Sequence, residues 1–221
     1  MDLVRQALTA LSNVRPIFHS EADFQHAFAW AIHVADPNSD VRLEAPFHTS
    51  EQRQYLDLVV RRGEREIGVE LKYKTRRLLA ETKAETFLLE NQGAQDQGRY
   101  DFFKDIRRLE QFVATSASRS GLAAFLTNDN AYWKPVERLD AGYSEFAMTE
   151  GRIVGGTLAW QAAAGAGTRR SRDDAITLAG QYRLEWEHYS TLQCRLPRPG
   201  PYGRFRYVVA EVVRNGGEPS A

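Results

Sequence analysis

The chain has 221 residues, of which 43% are apolar and 26% charged, the make-up of a soluble globular protein with room for one α/β domain and an appended subdomain. Lys and Arg number 29, as do Asp and Glu, which excludes a protein that coats nucleic acid through bulk positive charge; any such binding needs local basic patches. Cys194 is the single cysteine, which excludes an internal disulfide and a cysteine-rich zinc site. Together with the lack of a basic, apolar leader at the start and of any run long enough to span a bilayer, it points to the reducing cytoplasm and to no membrane partner.

In chain order, Leu3, Val4, Ala7, Leu8 and Leu11 predict a helix over 2–13, ended by Pro16. Ser20, with Asp23 three residues on, opens a second helix whose apolar stripe is Phe24, Ala27, Phe28, Ala31 and Ile32. Strands are predicted at Val41–Phe47, Tyr55–Arg61 and Glu66–Thr75. Residues 76–99 leave open a helix or a short strand near Phe87–Glu90. A helix follows at Tyr100–Ala117, with Phe102, Ile106, Leu109 and Val113 on one face, then a buried strand at Gly121–Thr127. Beyond it, Arg152–Trp160, Ile176–Tyr189 and Arg206–Val213 read as further strands, and Ala162–Asp174 as a mobile loop. The chain divides into a core over 1–135 and a β-rich C-terminal extension over 136–221 packed on that core.

The chemistry concentrates on one hairpin. A two-residue type II′ turn at Gly63-Glu64 places Arg62 opposite Arg65. That register pairs Val60 with Ile67, Leu58 with Val69 and Leu56 with Leu71 on an apolar face, and Asp57 with Glu70 on the other. Lys72 shares the face of the two acids. Opposed carboxylates repel unless one takes a proton or a cation lies between them. Two carboxylates and a main-chain carbonyl such as that of Leu71 suit Mg²⁺, which takes oxygen ligands and keeps several waters. Lys72 beside them would orient a water, or deprotonate it if its own pKa were depressed. The plainer alternative is a hairpin in which Lys72 merely pairs with Asp57 or Glu70.

Tyr55-Leu56-Asp57-Leu58-Val59-Val60, a short turn, and Gly68-Val69-Glu70-Leu71-Lys72-Tyr73-Lys74 together resemble the hallmark of the PD-(D/E)XK nuclease superfamily: an acid, a spacer, then Glu-X-Lys. The resemblance covers roughly residues 18–130, and Leu56 stands where the family motif often has proline. It implies a restriction-endonuclease-like core of helix, three antiparallel-type strands, helix and strand. It further implies a Mg²⁺-dependent (or Mn²⁺-dependent) endonuclease hydrolysing DNA phosphodiesters in defence or repair, with Asp57, Glu70 and Lys72 catalytic. An acid of the first core helix often joins the metal site in this family, which singles out Glu21; an ordinary first-turn acid favoured by the helix dipole is the other reading. The alternatives to a DNA nuclease are an RNA-cleaving enzyme and a non-catalytic nucleic-acid-binding or protein-interaction scaffold of the same fold.

Lys74, Arg76 and Arg77 follow the motif directly and would contact the phosphates of a bound strand, or form a solvated strand end. In helix 100–117, Asp105 and Arg108 read as a surface pair three residues apart, and Gln97 and Tyr100 as open candidates for the polar residue this helix often contributes in the family. Arg169, Arg170 and Arg172 read as part of a solvated linker, and Asn128-Asp129-Asn130 as a turn. The five histidines have no metal-binding spacing, and neither a Walker A loop nor a GxSxG elbow is present. Cutting both strands of a duplex takes two active sites, so a homodimer is expected, through the C-terminal β-region or helix 100–117.

Overall fold

A computed structural model describes residues 2–49, 52–82, 85–136, 141–195 and 202–214. The architecture is α/β, built on a six-stranded mixed sheet. Its strands are β1 (Asp40–His48), β2 (Arg53–Arg62), β3 (Arg65–Lys74), β6 (Arg119–Thr127), β9 (Trp186–Thr191) and β10 (Arg204–Val212), in the order β1-β2-β3-β6-β10-β9. Only β3 and β6 run parallel; every other neighbouring pair is antiparallel. The crossover that parallel pairing requires runs through a small hairpin, β4 (Leu78–Glu81) and β5 (Thr86–Leu89), and helix α3 (Gln95–Ala114). The ambiguous stretch 76–99 thus holds two short strands and the first turn of α3.

Each face of the sheet carries its own core. Helices α1 (Asp2–Val14) and α2 (Glu21–Ala35) cover one face, where Phe24, Phe28 and Ile32 of α2 meet Leu58, Val60, Val69, Leu71 and Tyr73. The Ser20 hydroxyl caps α2 by accepting from the Asp23 N–H at 3.1 Å, as the sequence predicts. On the other face lies α3, with Phe102, Phe103, Ile106, Leu109 and Phe112 packed on Ala123, Phe125 and Ala210. Gly68 of β3 is required there, because a Cβ would stand 2.7 Å from Leu56 and 2.9 Å from Phe112.

A second ribbon, β7 (Ile153–Leu158) with β8 (Ile176–Arg183), packs on the outer side of α3, so this helix lies between the main sheet and the ribbon. The predicted strand Ile176–Tyr189 is therefore two strands in different sheets. Its inside-outside alternation does run on through the break, with Tyr182, Leu184 and Trp186 buried. Strands β9 and β10 extend the main sheet beyond β6, so both stretches of the chain share its two cores. The segment expected to be a mobile loop is tied to α3 and carries a single short turn of helix, α4 (Ala166–Arg169). Arg172 grips Asp101 through two contacts at 2.7 and 2.8 Å, Gln97 donates to the Gly167 carbonyl at 3.1 Å, and Tyr100 donates to the Asp174 carbonyl at 3.0 Å. Among the described residues no helix is long and apolar enough to cross a membrane.

Candidate active site

The turn at Gly63-Glu64 forms as its residues dictate: Gly63 has φ +58, and Arg62 pairs with Arg65. The predicted register holds through Val60–Ile67 and Leu58–Val69, and there the β2–β3 ladder stops. Strand β3 continues with β6 alone as far as Lys74. Asp57 is consequently not paired directly across from Glu70. Leu56 does not meet Leu71 either; it packs on the α3 side, whereas Leu58 and Leu71 belong to the α2 side. The alternation of β2 breaks at Asp57, where the carboxylate enters the gap between the strands and takes the place of a ladder carbonyl.

That gap leaves part of one edge of β3 without a strand partner. Within a strand the N–H and C=O of one residue point to the same side, and those of Leu71 and Tyr73 face the vacated edge. Two side chains satisfy the N–H groups. The Leu71 N–H donates to Asp57 Oδ2 at 2.7 Å, and the Tyr73 N–H donates to Glu21 Oε2 at 2.9 Å. Ser20, by starting α2 where it does, puts Glu21 at the helix end nearest this edge. Glu21 thus points inward, toward the sheet, and the Leu71 carbonyl lies on the same edge as both acids.

Glu70 and Lys72 point toward α3, where they meet two residues that the sequence reading left on the surface. Arg108 Nη1 lies 2.6 Å from Glu70 Oε1 and 3.2 Å from Asp105 Oδ1. Lys72 Nζ lies 3.0 Å from Asp105 Oδ2. Asp105 is 3% exposed and Glu70 1% exposed, so this is a buried cluster and not a surface pair. One signal for it stood in the sequence: Asp105 is three residues after Phe102 and four before Leu109, on the apolar stripe itself.

The electrostatics follow from burial. Desolvation, then the neighbouring Asp105, hold the Glu70 pKa well above the ordinary carboxylate range in spite of Arg108. Burial raises Asp57 as well, against the Leu71 N–H and Lys72, and it raises Asp105 against Lys72 and Arg108. Lys72 moves the other way from a lysine base. Burial opposes its charge, but Asp105, Glu21 and Asp57 outweigh burial and raise its pKa, so it stays a cation at neutral pH. Glu70 Oε2 is buried with no hydrogen-bond partner among the described residues.

Glu70 Oε2, the Asp57 carboxylate and the Leu71 carbonyl are oxygen donors of the type that Mg²⁺ takes. Among the described residues no group of three or more His, Cys, Asp or Glu side chains that could hold a metal ion is found. Arg76 and Arg77 diverge in role: the Arg76 guanidinium lies over the Tyr202 ring at 5.1 Å, while Arg77 is exposed. Lys74 is half-buried beyond Lys72 on the same face. Asn128 is more than a turn residue, since its side chain accepts from the Arg76 N–H at 2.7 Å and donates to the Tyr202 carbonyl at 2.7 Å. No protein-family model matches the chain, and no curated protein or solved structure is significantly similar to it.

Proposed function

We propose that the chain is a Mg²⁺-dependent nuclease with a restriction-endonuclease-like core, an endonuclease of DNA in defence or repair, and that the vacated edge of β3 is its cleavage site. The observation that carries this reading is the arrangement at that edge: Asp57 and Glu21 on the alternate main-chain N–H groups of Leu71 and Tyr73, Glu70 nearby with one buried oxygen unpartnered among the described residues, and Lys72 as a neighbouring cation. Leaving a buried carboxylate oxygen unpartnered costs stability, which suits a group whose partner is a ligand. When bound, through Asp57, Glu70 and the Leu71 carbonyl, Mg²⁺ would supply positive charge to the scissile phosphate and acidity to the attacking water.

The protein's own groups then have separable tasks. Lys72, held protonated, places a fixed positive charge where charge develops on the phosphate oxygens. Asp105 holds the ammonium at 3.0 Å and so positions it. Glu21 fixes the edge of β3 from the α2 side, and Lys74 and Arg77 lie where they would steady a strand by its phosphates. A homodimer would supply the second site needed to cut a duplex.

A second reading, a non-catalytic scaffold of the same fold, draws on the internal charge balance of the cluster, in which Arg108 answers Glu70 and Lys72 answers Asp105. The deciding experiment is incubation of the pure protein with supercoiled plasmid and with single-stranded RNA, in Mg²⁺, Mn²⁺ or EDTA. Metal-dependent cleavage lost in Asp57→Ala is the expected result. No cleavage of either polymer in any metal would overturn the nuclease reading, and cleavage of RNA alone would reassign the substrate.

A further inference from the structure

Next to the carboxylate cluster, on the side of α3 away from α2, is a cavity of about 350 Å³. Lys104, Arg107 and Arg108 line it from α3, together with Gln52, Gln54 and Gln111. Asp174 is the only acid among its described lining residues. One wall is residues 171–176, which the Arg172–Asp101 pair and the Tyr100 hydrogen bond to Asp174 hold against the helix. Gln54 Nε2 donates to Gln111 Oε1 at 2.9 Å, fixing both amides at the floor.

With Arg108 held by Glu70 and Asp105, Lys104 and Arg107 against Asp174 make the described lining anion-attracting. Arg107 is anchored by donating to the Thr177 carbonyl at 2.6 Å, and Lys104 is exposed with no ion pair among the described residues. Arg108 belongs to both places: it lines the cavity and its guanidinium touches Glu70 at 2.6 Å. An anionic chain seated here would therefore lead directly to the carboxylates. The volume is that of a small-ligand pocket, too small to admit a duplex. Fixed amides beside cations suit a single strand, whose phosphates meet Lys and Arg while its unpaired base edges meet Gln donors and acceptors.

We propose that this cavity binds single-stranded nucleic acid through its phosphodiester backbone, holding the strand that runs on to the Asp57–Glu70 edge. The direction of the strand rests on the nuclease reading; the binding itself does not. The test is fluorescence anisotropy in EDTA, where no cleavage occurs, with fluorescein-labelled oligothymidylate and oligouridylate as probes and an unlabelled duplex as competitor.

Wild type should bind. Lys104→Glu, at an exposed and unpaired position that folding does not depend on, should weaken binding about tenfold and reduce its salt dependence by about one phosphate contact. Arg107→Ala should weaken it less, with an unchanged circular dichroism spectrum. Affinity and salt dependence unchanged in Lys104→Glu would overturn it, as would a duplex that competes as well as a single strand, or a wild type that binds neither probe. Binding that Lys104→Glu weakens, with no cleavage in any metal, would keep the cavity and remove the nuclease reading. Cleavage alongside unaltered Lys104→Glu affinity would do the reverse.

Discussion

Glu66 and Glu70 stand on the same strand, and by its alternation on the same face, yet they are opposite kinds of acid. Glu66 lies at the hairpin end, where β2 and β3 are still paired, between Arg61 at 2.8 Å and Arg119 at 2.7 Å. Burial pushes its pKa up, but the two guanidiniums outweigh burial and leave it below the usual carboxylate range. Glu70 lies past the point where β2 peels away. There it is almost fully buried, meets Arg108 through one oxygen only, and is pushed well above that range. An ion pair that completes a paired ladder makes a carboxylate quiet; the same residue type in a vacated edge stays short of partners. The surroundings that the fold gives each acid, more than the identity of the residue, set the two apart.

The largest expected difference between the two is in cleavage. Asp57→Ala and Glu70→Gln should each lower the plasmid-nicking rate by about 10²–10⁴-fold or more, whereas Glu66→Gln should stay within a few-fold of wild type. Equal losses in Glu66→Gln and Glu70→Gln would erase the distinction. Lys72 sharpens it further. Lys72→Ala and Lys72→Arg should both lose most cleavage while DNA affinity changes little, because a planar guanidinium cannot stand where a compact ammonium meets Asp105. The rate–pH profile should also rise through carboxylate ionisation with no second rise in the lysine range; a second rise would restore Lys72 as a base.

Stability separates the two sites next. Arg108→Leu leaves Glu70 buried without its cation and should cost about 3–5 kcal/mol in urea denaturation, or less to the extent that Glu70 protonates. Arg61→Ala, at a half-exposed pair that leaves Glu66 its second arginine, should cost about 0–1 kcal/mol.

The smallest effect is in the pH dependence, and its sign differs between the two acids. Glu70 binds its proton more tightly folded than unfolded, so its contribution is present at acidic pH and lost as pH rises from the ordinary carboxylate range through its raised pKa. Glu66 contributes above the ordinary range and loses that contribution as pH falls through its lowered pKa. Because Gln mimics the protonated acid, thermal melts in EDTA should match wild type at the acidic end and part from it as pH rises, with Glu70→Gln the more stable and Glu66→Gln the less stable. Mg²⁺ should stabilise wild type most at higher pH and leave Asp57→Ala unchanged.

Local rules made most of the site legible. Gly63 dictated the turn, the turn dictated the register, and Ser20 dictated where α2 begins and hence where Glu21 stands. What local rules could not supply was the end of the ladder. Extending the register one step past Leu58 places Asp57 opposite Glu70, but the strands part there, and Leu56 crosses to the other core. Asp105 and Arg108 were misread because an acid and a base three residues apart suit a solvated helix, whereas here they meet Lys72 and Glu70 on β3. That contact, like the placement of β10 beside β6, joins residues far apart in sequence, for which spacing within one element gives no signal.

The position of β10 also sets a timetable for synthesis. It lies between β6 and β9 and hydrogen-bonds both. Arg5 of α1 pairs with Glu211 on that strand. A nascent chain that has made β2, β3, α3 and β6 already carries the whole carboxylate cluster, but β6 then presents a bare hydrogen-bonding edge of apolar residues, and α1 lacks one of its anchors. Until residue 212 clears the ribosome, that edge can recruit strands from other chains. The interval between making the site and sealing the sheet is therefore the period of greatest exposure to aggregation and proteolysis, and chains cut short before β10 should accumulate in inclusion bodies.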